Sequence, residues 1–236
     1  MMKKKLGILG GMGPLASKVF YERIIKNTQA HGDNDHIDIM LLSHASIPDR
    51  TRLILQNADP SQLLAKVKED LKVFESYGVS NIAAACNTFH YFLDQVQEMT
   101  AIPFINMVEE TAKEAASKGK TVTVFATKGS LKTKVYDKYL EKYGLVHKKV
   151  NVNIENELMN IIYGVKATNN IKSERFNQIL AASIYKGSIP IIACTELSSI
   201  VLEESLEEYV IDALSILTRE AILRSGYDLK YHKIIS

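Results

Sequence analysis

The sequence predicts an α/β protein of two similar lobes, each a mainly parallel sheet flanked by helices, with the functional site in the cleft between them. Apolar segments with strand character alternate with helix-like segments along the chain, and such alternation favours parallel sheets covered by helices on both faces. Each of two rounds of alternation delivers a cysteine, Cys86 or Cys194, at the end of a strand. Ligands bind beyond the carboxyl ends of strands in open α/β sheets, so both cysteines should border one crevice.

The first round contains three predicted strands, at residues 6–9, 37–42 and 81–85. Pro14 suits the first position of a helix. Its expected inner face contains four apolar residues, Leu15, Val19, Ile24 and Ile25. Asp59, Pro60 and Gln62 resemble a capping box before a helix that Gly78 ends. A further helix is expected after Cys86, over residues 89–96.

The second round follows residues 102–105. Its predicted strands lie at 121–126, 150–152 and 189–193, and its predicted helices lie at 131–143, 156–163, 173–185 and 211–224. We assign residues 1–105 plus 208–236 to an N-terminal lobe with a returning C-terminal helix, and residues 106–207 to a second lobe. The length of 236 residues is enough for two small lobes or one large domain.

Charge and hydropathy exclude several classes of partner. The formal net charge of +2 is too slight for nucleic-acid binding, and no basic stripe is interleaved with aromatic residues. No apolar run approaches the length of a membrane span. The apolar start of the chain, residues 6–10, is too short and glycine-broken for a signal peptide. We therefore expect a cytoplasmic protein with reduced cysteines and no membrane or nucleic-acid partner.

The two cysteines lie in matching contexts, Ala84-Ala85-Cys86-Asn87-Thr88 and Ile192-Ala193-Cys194-Thr195-Glu196. A thiol at a strand-to-helix junction faces backbone N–H groups and the positive end of the helix dipole, which lowers its pKa. One such cysteine alone is more often a core residue than a catalyst, but two in equivalent positions favour the functional interpretation. The sequence thus predicts an acid–base pair of thiols, one on each side of a substrate.

The glycine turn, residues 10–13, matches a dinucleotide-binding pattern of glycines between a strand and a helix. A dinucleotide site also needs an acidic residue at the end of the second strand, where this chain has Leu41-Leu42-Ser43-His44. We therefore disfavour dinucleotide binding. The glycines then either allow the backbone to approach a small ligand closely or simply form a tight turn.

Six segments together resemble a known family. They are Gly10-Gly11-Met12-Gly13-Pro14, Pro48-Asp49-Arg50-Thr51, Cys86-Asn87-Thr88-x-His90, Ala126-Thr127-x-Gly129-Ser130, Tyr163-Gly164-Val165-Lys166 and Cys194-Thr195-Glu196. In this order they resemble the cofactor-independent aspartate/glutamate racemases, and within them the aspartate racemases. Glutamate racemases usually have an Asp-Ser turn at the first segment and Cys-Thr-His at the last, and this chain has neither.

The resemblance implies an isomerase with no cofactor, independent of pyridoxal phosphate, that acts as a homodimer on a small dicarboxylate amino acid. It implies that Cys86 and Cys194 are bases of opposite hand and that Arg50 and Lys166 hold the side-chain carboxylate. The substrate's α-carboxylate would lie against Asn87, Thr88 and Thr195. The same segments assign four further residues to the substrate site, Met12, Asp49, Thr51 and Thr127.

We therefore expect racemisation of aspartate by transfer of the α-proton between two thiols. A glutamate or broad-specificity racemase of the same fold, and an amino-acid sensor without turnover, are the alternatives. The role of His90 is open between raising the thiolate character of Cys86 and local packing, and that of Glu196 between tuning Cys194 and facing solvent. The histidines His31, His36 and His44 show no zinc-binding spacing, so no metal is expected.

Overall fold

The computed structural model describes residues 3–231 and Ile234. Its first parallel sheet contains β1 (Leu6–Gly10), β2 (Ile39–Ser43) and β3 (Asn81–Ala84), in the order β2-β1-β3. The second parallel sheet contains β4 (Thr121–Ala126), β5 (Val146–His147), β6 (Ile189–Ala193) and β7 (Ile211–Asp212), in the order β5-β4-β6-β7. We call the parts built around these sheets the first and the second lobe.

The helices alternate with the strands. Those before β4 are α1 (Pro14–Asn27), α2 (Arg50–Gln56), α3 (Ser61–Tyr77), α4 (Leu93–Gln97) and α5 (Met107–Lys118). Those after β4 are α6 (Lys128–Thr133), α7 (Asp137–Lys142), α8 (Val152–Thr168), α9 (Glu174–Tyr185) and α10 (Ala213–Arg224). Short 3₁₀ segments lie at Asp33–Asp35, Asn87–Phe92, Leu197–Ser199 and Glu204–Leu206. In the described part of the chain, no helix is both long and apolar enough to span a bilayer.

The two sheets share one strand order. In the first sheet a parallel bridge joins Ile82 to Phe104 beyond β3, at the position that β7 occupies beyond β6 in the second sheet. The helix that follows this outer position is α5 in the first case and α10 in the second. This confirms the predicted α/β architecture of two similar parallel sheets with flanking helices.

The core has three parts. A central apolar cluster combines β1 and β3 residues such as Ile8 and Ala83 with β4 and β6 residues such as Val124 and Ile191. Helices α5 and α10 pack against each other within it. Two outer clusters cover the other faces of the sheets, one containing Cys86 and the other Cys194. The sheets are thus joined through a common core, while each cysteine belongs to a separate outer cluster.

Several element predictions are wrong in detail. The segment 131–143 is not one helix, because Lys134 adopts a left-handed backbone conformation (φ 53°) between α6 and α7. Residues 150–152 are not a strand, since Asn151 caps the N-terminus of α8 and its side chain accepts from Ile154 N. Ile25 is 42% exposed rather than on the inner face of α1, where Phe20 is fully buried instead.

The stretches after both cysteines also differ from the prediction. Cys86 is followed by the 3₁₀ segment Asn87–Phe92 before the five-residue α4, and Cys194 only by the three-residue 3₁₀ segment Leu197–Ser199. Neither segment aligns enough peptide dipoles to act as a long helix would on a thiol. The expected dipole effect on the two thiols is therefore not supported by the fold.

The glycine turn packs against the loop that follows β2. Gly11 has a φ of +83°, and a Cβ atom there would lie 2.4 Å from the backbone carbonyl carbon of His44. Gly11 N donates to Ser17 Oγ at 2.9 Å, and Ser17 Oγ donates to Gly13 O at 2.9 Å. Gly11 therefore has the second of the two roles proposed for the glycines, a tight turn. Its positive φ and the close backbone of His44 leave no room for a side chain.

Candidate active site

One small pocket lies where the ends of β3 and β6 meet the glycine turn and the start of α2. It is lined by all eleven residues that the sequence assigned to the site, namely Met12, Asp49, Arg50, Thr51, Cys86, Asn87, Thr88, Thr127, Lys166, Cys194 and Thr195, together with Glu196. Its cavity volume is about 10 Å³, which is room for about one water molecule. The structure therefore brings the predicted residues together, whereas their individual roles stay predictions.

Both thiols are free and almost fully buried. Cys86 is 6% exposed and Cys194 is 3% exposed, and no disulfide joins them. Both line the same pocket, although they lie in different apolar clusters and on different lobes. The two cysteines thus line one cavity from separate sheets.

Cys194 has a carboxylate neighbour. Its Sγ donates a hydrogen bond to Glu196 Oε2 at 3.1 Å. Burial, the negative charge of Glu196 and this hydrogen bond raise the pKa of the Cys194 thiol well above its ordinary value, although Lys166 opposes the shift. The expectation that the surroundings of Cys194 favour its thiolate is therefore wrong, because the carboxylate and burial both favour the neutral thiol.

His90 belongs to the backbone around Cys86 rather than to its sulfur. Met107 N donates to His90 Nε2 at 3.2 Å, so the ring proton is on Nδ1, which donates to the carbonyl of Cys86 at 2.9 Å. Burial lowers the pKa of His90 to about 4. The neutral ring ties the Cys86 turn to the first residue of α5, which resolves the open question in favour of local packing.

Lys166 reaches the pocket from α8 and faces two carboxylates. Its Nζ lies 3.6 Å from Asp49 Oδ2 and 3.7 Å from Glu196 Oε1. Burial disfavours its charge, but Glu196, Cys194, Asp49 and Cys86 outweigh that cost, and the pKa of Lys166 is raised. Lys166 is therefore a fixed positive charge between the two lobes.

Arg50 is turned toward backbone carbonyls. Its Nη1 donates to Pro48 O at 3.0 Å, its Nη2 donates to Met12 O, and its Nε has no hydrogen-bond partner although it is buried. Asp49, the preceding residue, caps α2 by accepting from Arg52 N at 2.8 Å. The guanidinium is thus anchored at the pocket wall by its Nη atoms, while its buried Nε has no partner.

Hydroxyl and amide groups join the lobes beside Cys86. Thr88 Oγ1 lies 2.9 Å from Thr127 Oγ1 and 3.0 Å from Ser130 Oγ. Tyr136 OH donates to Asn87 Oδ1 at 2.6 Å. Sequence reasoning missed Ser130 and Tyr136 as contacts of site residues. Ser130 lay within a quoted motif, but nothing local marks Tyr136.

Three buried polar atoms at the site have no hydrogen-bond partner. Two are donors, Arg50 Nε and Asn87 Nδ2, and one is an acceptor, Glu196 Oε1. Buried polar groups are normally satisfied, so these atoms in the pocket wall are available to bind a polar molecule. Two donors and one acceptor suit a molecule that carries both carboxylate and ammonium groups.

A second network lies behind Cys194. Arg23 of α1 pairs with Asp212 at 2.5 Å and donates to the carbonyl of Ser198 at 2.7 Å. Ser198 N donates in turn to the carbonyl of Cys194 at 3.0 Å. No local sequence pattern indicates this network, because its members are far apart along the chain. It ties the turn that carries Cys194 to the first lobe.

Metal-binding geometry is not found at this site. Among residues 3–231 and Ile234, no three or more histidine, cysteine, aspartate or glutamate side chains are arranged to hold a metal ion. The chemistry available here is that of two thiols, two cations, two carboxylates and several hydroxyl and amide groups.

Comparison with known proteins gives consistent matches. The sequence family described as Asp/Glu/Hydantoin racemase matches residues 9–221. The broad specificity amino-acid racemase RacX of Bacillus subtilis is 27% identical over 228 residues, which covers 92% of this chain and 96% of that protein. Among solved structures, the aspartate racemase of Picrophilus torridus has a TM-score of 0.81 and 27% identity, with 96% of each chain covered. An aspartate racemase homologue from Pyrococcus horikoshii has a TM-score of 0.75 and 25% identity, with 94% of this chain and 99% of that chain covered.

Proposed function

This chain belongs to the Asp/Glu/Hydantoin racemase family, and on that premise we propose that it interconverts L- and D-aspartate. The α-proton leaves one face of the substrate to one cysteine, and the other cysteine returns a proton to the opposite face. The observation that carries the proposal is that Cys86 and Cys194, both free, line one pocket from two different lobes. A single base would have to cross the plane of the substrate, whereas two thiols on opposite sides need no such movement.

The charges of the pocket support a dicarboxylate substrate. Arg50 and Lys166 line it together with both thiols. The Arg50 fork suits a carboxylate, to which Nε is free to donate, and Lys166 adds a positive charge. A neutral side chain such as that of alanine would offer no carboxylate to Lys166 or to the free Nε of Arg50. The match to the aspartate racemase of Picrophilus torridus over 96% of each chain favours aspartate.

Stabilisation of the carbanion comes from fixed polar groups. General acid–base catalysis contributes about 10² to 10⁴-fold, so preorganised donors must supply much of the remainder. Asn87 Nδ2 is buried without a partner, and the hydroxyl of Thr88 lies in a buried cluster with Thr127 and Ser130. These groups are already oriented, so a developing negative charge on the α-carboxylate would meet donors that need no reorganisation.

Substrate entry requires the lobes to separate or side chains to move. The cavity of about 10 Å³ is far too small for an amino acid. The lobes touch at its edge, where a Cβ atom on Gly129 would lie 3.0 Å from Thr51 Cα. Lys132 also donates to the carbonyl of Ile54 at 3.1 Å and to Asn57 Oδ1 at 3.1 Å. Opening at this edge admits the substrate, and closure excludes water from the reacting thiols.

A broad-specificity amino-acid racemase is the second candidate. It is favoured by the similarity to RacX of Bacillus subtilis, which extends over 92% of this chain. The aspartate proposal ranks first because two cations in so small a pocket select for a second carboxylate. We also propose that the enzyme is a cytoplasmic homodimer that needs no pyridoxal phosphate; light scattering during gel filtration tests the dimer.

The assay follows the loss of optical rotation from L-aspartate, L-glutamate and L-alanine in turn, with no cofactor added. Deuterium incorporation at Cα in heavy water separates a racemase from a protein that only binds the amino acid. We expect rotation to be lost and deuterium to enter fastest with aspartate. Equal rates with alanine would favour the broad-specificity candidate, and no exchange with any of the three would overturn the proposal.

A further inference from the structure

The two thiols of the pocket have different surroundings. Cys194 Sγ donates to Glu196 Oε2 at 3.1 Å, whereas in the described part of the chain the sulfur of Cys86 makes no such hydrogen bond to a carboxylate. Glu196 is itself 5% exposed, so its charge is poorly screened by water. The pocket is therefore asymmetric in a way that the matching sequence contexts of the cysteines conceal.

Glu196 is held in place by contacts on both sides. Its Oε1 lies 3.7 Å from Lys166 Nζ and has no hydrogen-bond partner. The glycine turn approaches the same oxygen, since a Cβ atom on Gly13 would lie 3.2 Å from Oε1. The carboxylate is thus confined between the turn, Lys166 and the thiol, with Oε2 directed at Cys194.

We propose that Glu196 is a positioning residue that keeps Cys194 protonated in the substrate-free enzyme, so that Cys86 is the thiol that first acts as the base. This inference rests on the proposed two-thiol racemisation and assigns the starting state of each thiol within it. A carboxylate that accepts from a thiol favours the S–H form, because the thiolate would lose the hydrogen bond and face a like charge.

The charged and titratable groups around Cys194 support this assignment. Glu196, on the same turn, and burial favour the thiol, while Lys166 of α8 opposes them, and the net effect is a raised pKa of Cys194. Lys166 also forms an ion pair with Asp49 of the first lobe, at 3.6 Å, so its charge does not act on Cys194 alone. Tyr136 interacts with Cys194 as well, but burial raises its own pKa, so it is neutral.

The proton balance of one turnover follows from this starting state. As the Cα–H bond breaks, the Cys86 thiolate forms an S–H bond and the electron pair remains on Cα and its carboxylate. The S–H bond of Cys194 then breaks as a new Cα–H bond forms on the opposite face. The enzyme is left with a thiol at Cys86 and a thiolate at Cys194 beside Glu196. Once product leaves, Cys194 takes a proton from water and Cys86 releases one, which restores the starting state.

The test titrates the thiols without substrate, so its outcome is independent of whether aspartate is the substrate. The chain has only two cysteines, so protein labelled with ¹³C at cysteine Cβ gives one NMR signal for each. Cys86→Ser and Cys194→Ser assign the two signals. We expect the Cys86 signal to shift toward its thiolate position at a lower pH than the Cys194 signal. The reverse order would overturn the proposal.

Glu196→Gln in the Cys86→Ser background isolates the effect of the carboxylate. The amide keeps the size of the side chain and an acceptor oxygen but loses the negative charge, so the midpoint of the Cys194 titration should fall, by about one pH unit or more for the loss of a like charge in contact. Glu203→Gln, which changes an exposed carboxyl in the following loop, is the matched control and should leave the midpoint in place. An unchanged or higher midpoint in Glu196→Gln, or an equal fall in the control, would contradict the role of Glu196. If Glu196→Gln fails to fold by circular dichroism, the order of the two wild-type signals decides.

Discussion

The hydroxyl of Tyr136 donates a 2.6 Å hydrogen bond to Asn87 Oδ1, and this bond fixes the side-chain amide next to Cys86. Tyr136 is 2% exposed and Asn87 is 2% exposed. With Oδ1 engaged, the Asn87 amide presents its unpartnered Nδ2 as a donor. The second lobe thus orients a donor that the first lobe carries, although Asn87 and Tyr136 lie far apart in the sequence.

Tyr136→Phe removes this bond and leaves Asn87 Oδ1 buried without a donor. We expect kcat/KM for aspartate to fall about 10-fold, because the amide is no longer oriented, and the free energy of unfolding to drop by about 1–3 kcal/mol. Steady-state kinetics and chemical denaturation measure the two effects. Tyr139→Phe is the matched control, since its hydroxyl bonds Asn106 Nδ2 at 2.7 Å and Tyr139 does not line the pocket. A loss of stability without a loss of kcat/KM would show that Asn87 does not bind the substrate.

Cys86→Ser and Cys194→Ser should each abolish racemisation while the fold is retained. Serine is nearly the same size but is far too weak an acid to exchange a proton in the same way, so each rate should fall by at least about 10²-fold. Initial rates of rotation change from both enantiomers provide the measurement, and thermal unfolding checks the fold. A rate close to that of the wild type in either variant would defeat the two-base assignment.

Arg50→Lys tests the planar fork. The lysine keeps the positive charge but loses the donors to Met12 O and Pro48 O and the free Nε. We expect kcat/KM for aspartate to fall by about 10- to 100-fold, since one point charge cannot replace a fork. Arg52→Lys, an exposed position on the same helix, should behave like the wild type. Unchanged kcat/KM in Arg50→Lys would remove Arg50 from the substrate site.

Asp49→Asn tests the ion pair between Asp49 and Lys166, whose charged atoms lie 3.6 Å apart across the cleft. Asparagine is an equally good helix cap, so α2 should keep its N-terminus while the charge is lost. If the substrate's side-chain carboxylate competes with Asp49 for Lys166, KM for aspartate should fall by about 2- to 5-fold. This change corresponds to the free energy that a partly exposed ion pair contributes, about 0.4–1 kcal/mol. A higher KM would place Asp49 on the substrate ammonium instead.

The buried imidazole of His90 predicts a loss of stability in acid. Burial lowers the pKa of His90 from 6.5 to about 4, so between these values the unfolded chain binds a proton that the folded chain does not. Stability should therefore decrease as the pH falls from 6.5 toward 4, by about 3 kcal/mol in all. Denaturant midpoints across this range measure it. His90→Gln should be less stable at neutral pH but show a shallower decrease, and an unchanged slope would contradict the assignment.

The sequence predicted the architecture because the periodic signals were local. Strands β1, β3, β4 and β6 lie close to the expected segments, and their short apolar runs are bounded by glycine or by the site motifs. The two-residue strands β5 and β7 were not foreseen, since a pair of residues carries no alternation. Helix α2 was also missed, although Asp49 is its cap. The break at Lys134 was hidden because lysine rarely adopts a positive φ.

The eleven residues that the resemblance to the racemase family implied all line one pocket, although their roles stay predictions. The environment of each thiol was not predicted. Cys86 and Cys194 have almost the same local sequence, yet only Cys194 donates to a carboxylate, Glu196, within the described structure. Whether a carboxylate two residues away turns toward a thiol or toward water depends on what packs around it.

The chain by itself thus determined the α/β class and the parallel sheets, which follow from hydrophobic periodicity, and its motifs indicated the polar residues of the site through their resemblance to the racemase family. Tertiary structure alone decided how Tyr136 orients Asn87, how His90 is locked in one tautomer, and why Cys194 is held as a thiol. Hydrogen bonds and pKa values depend on distance and burial between segments remote in sequence, and no local pattern encodes those quantities.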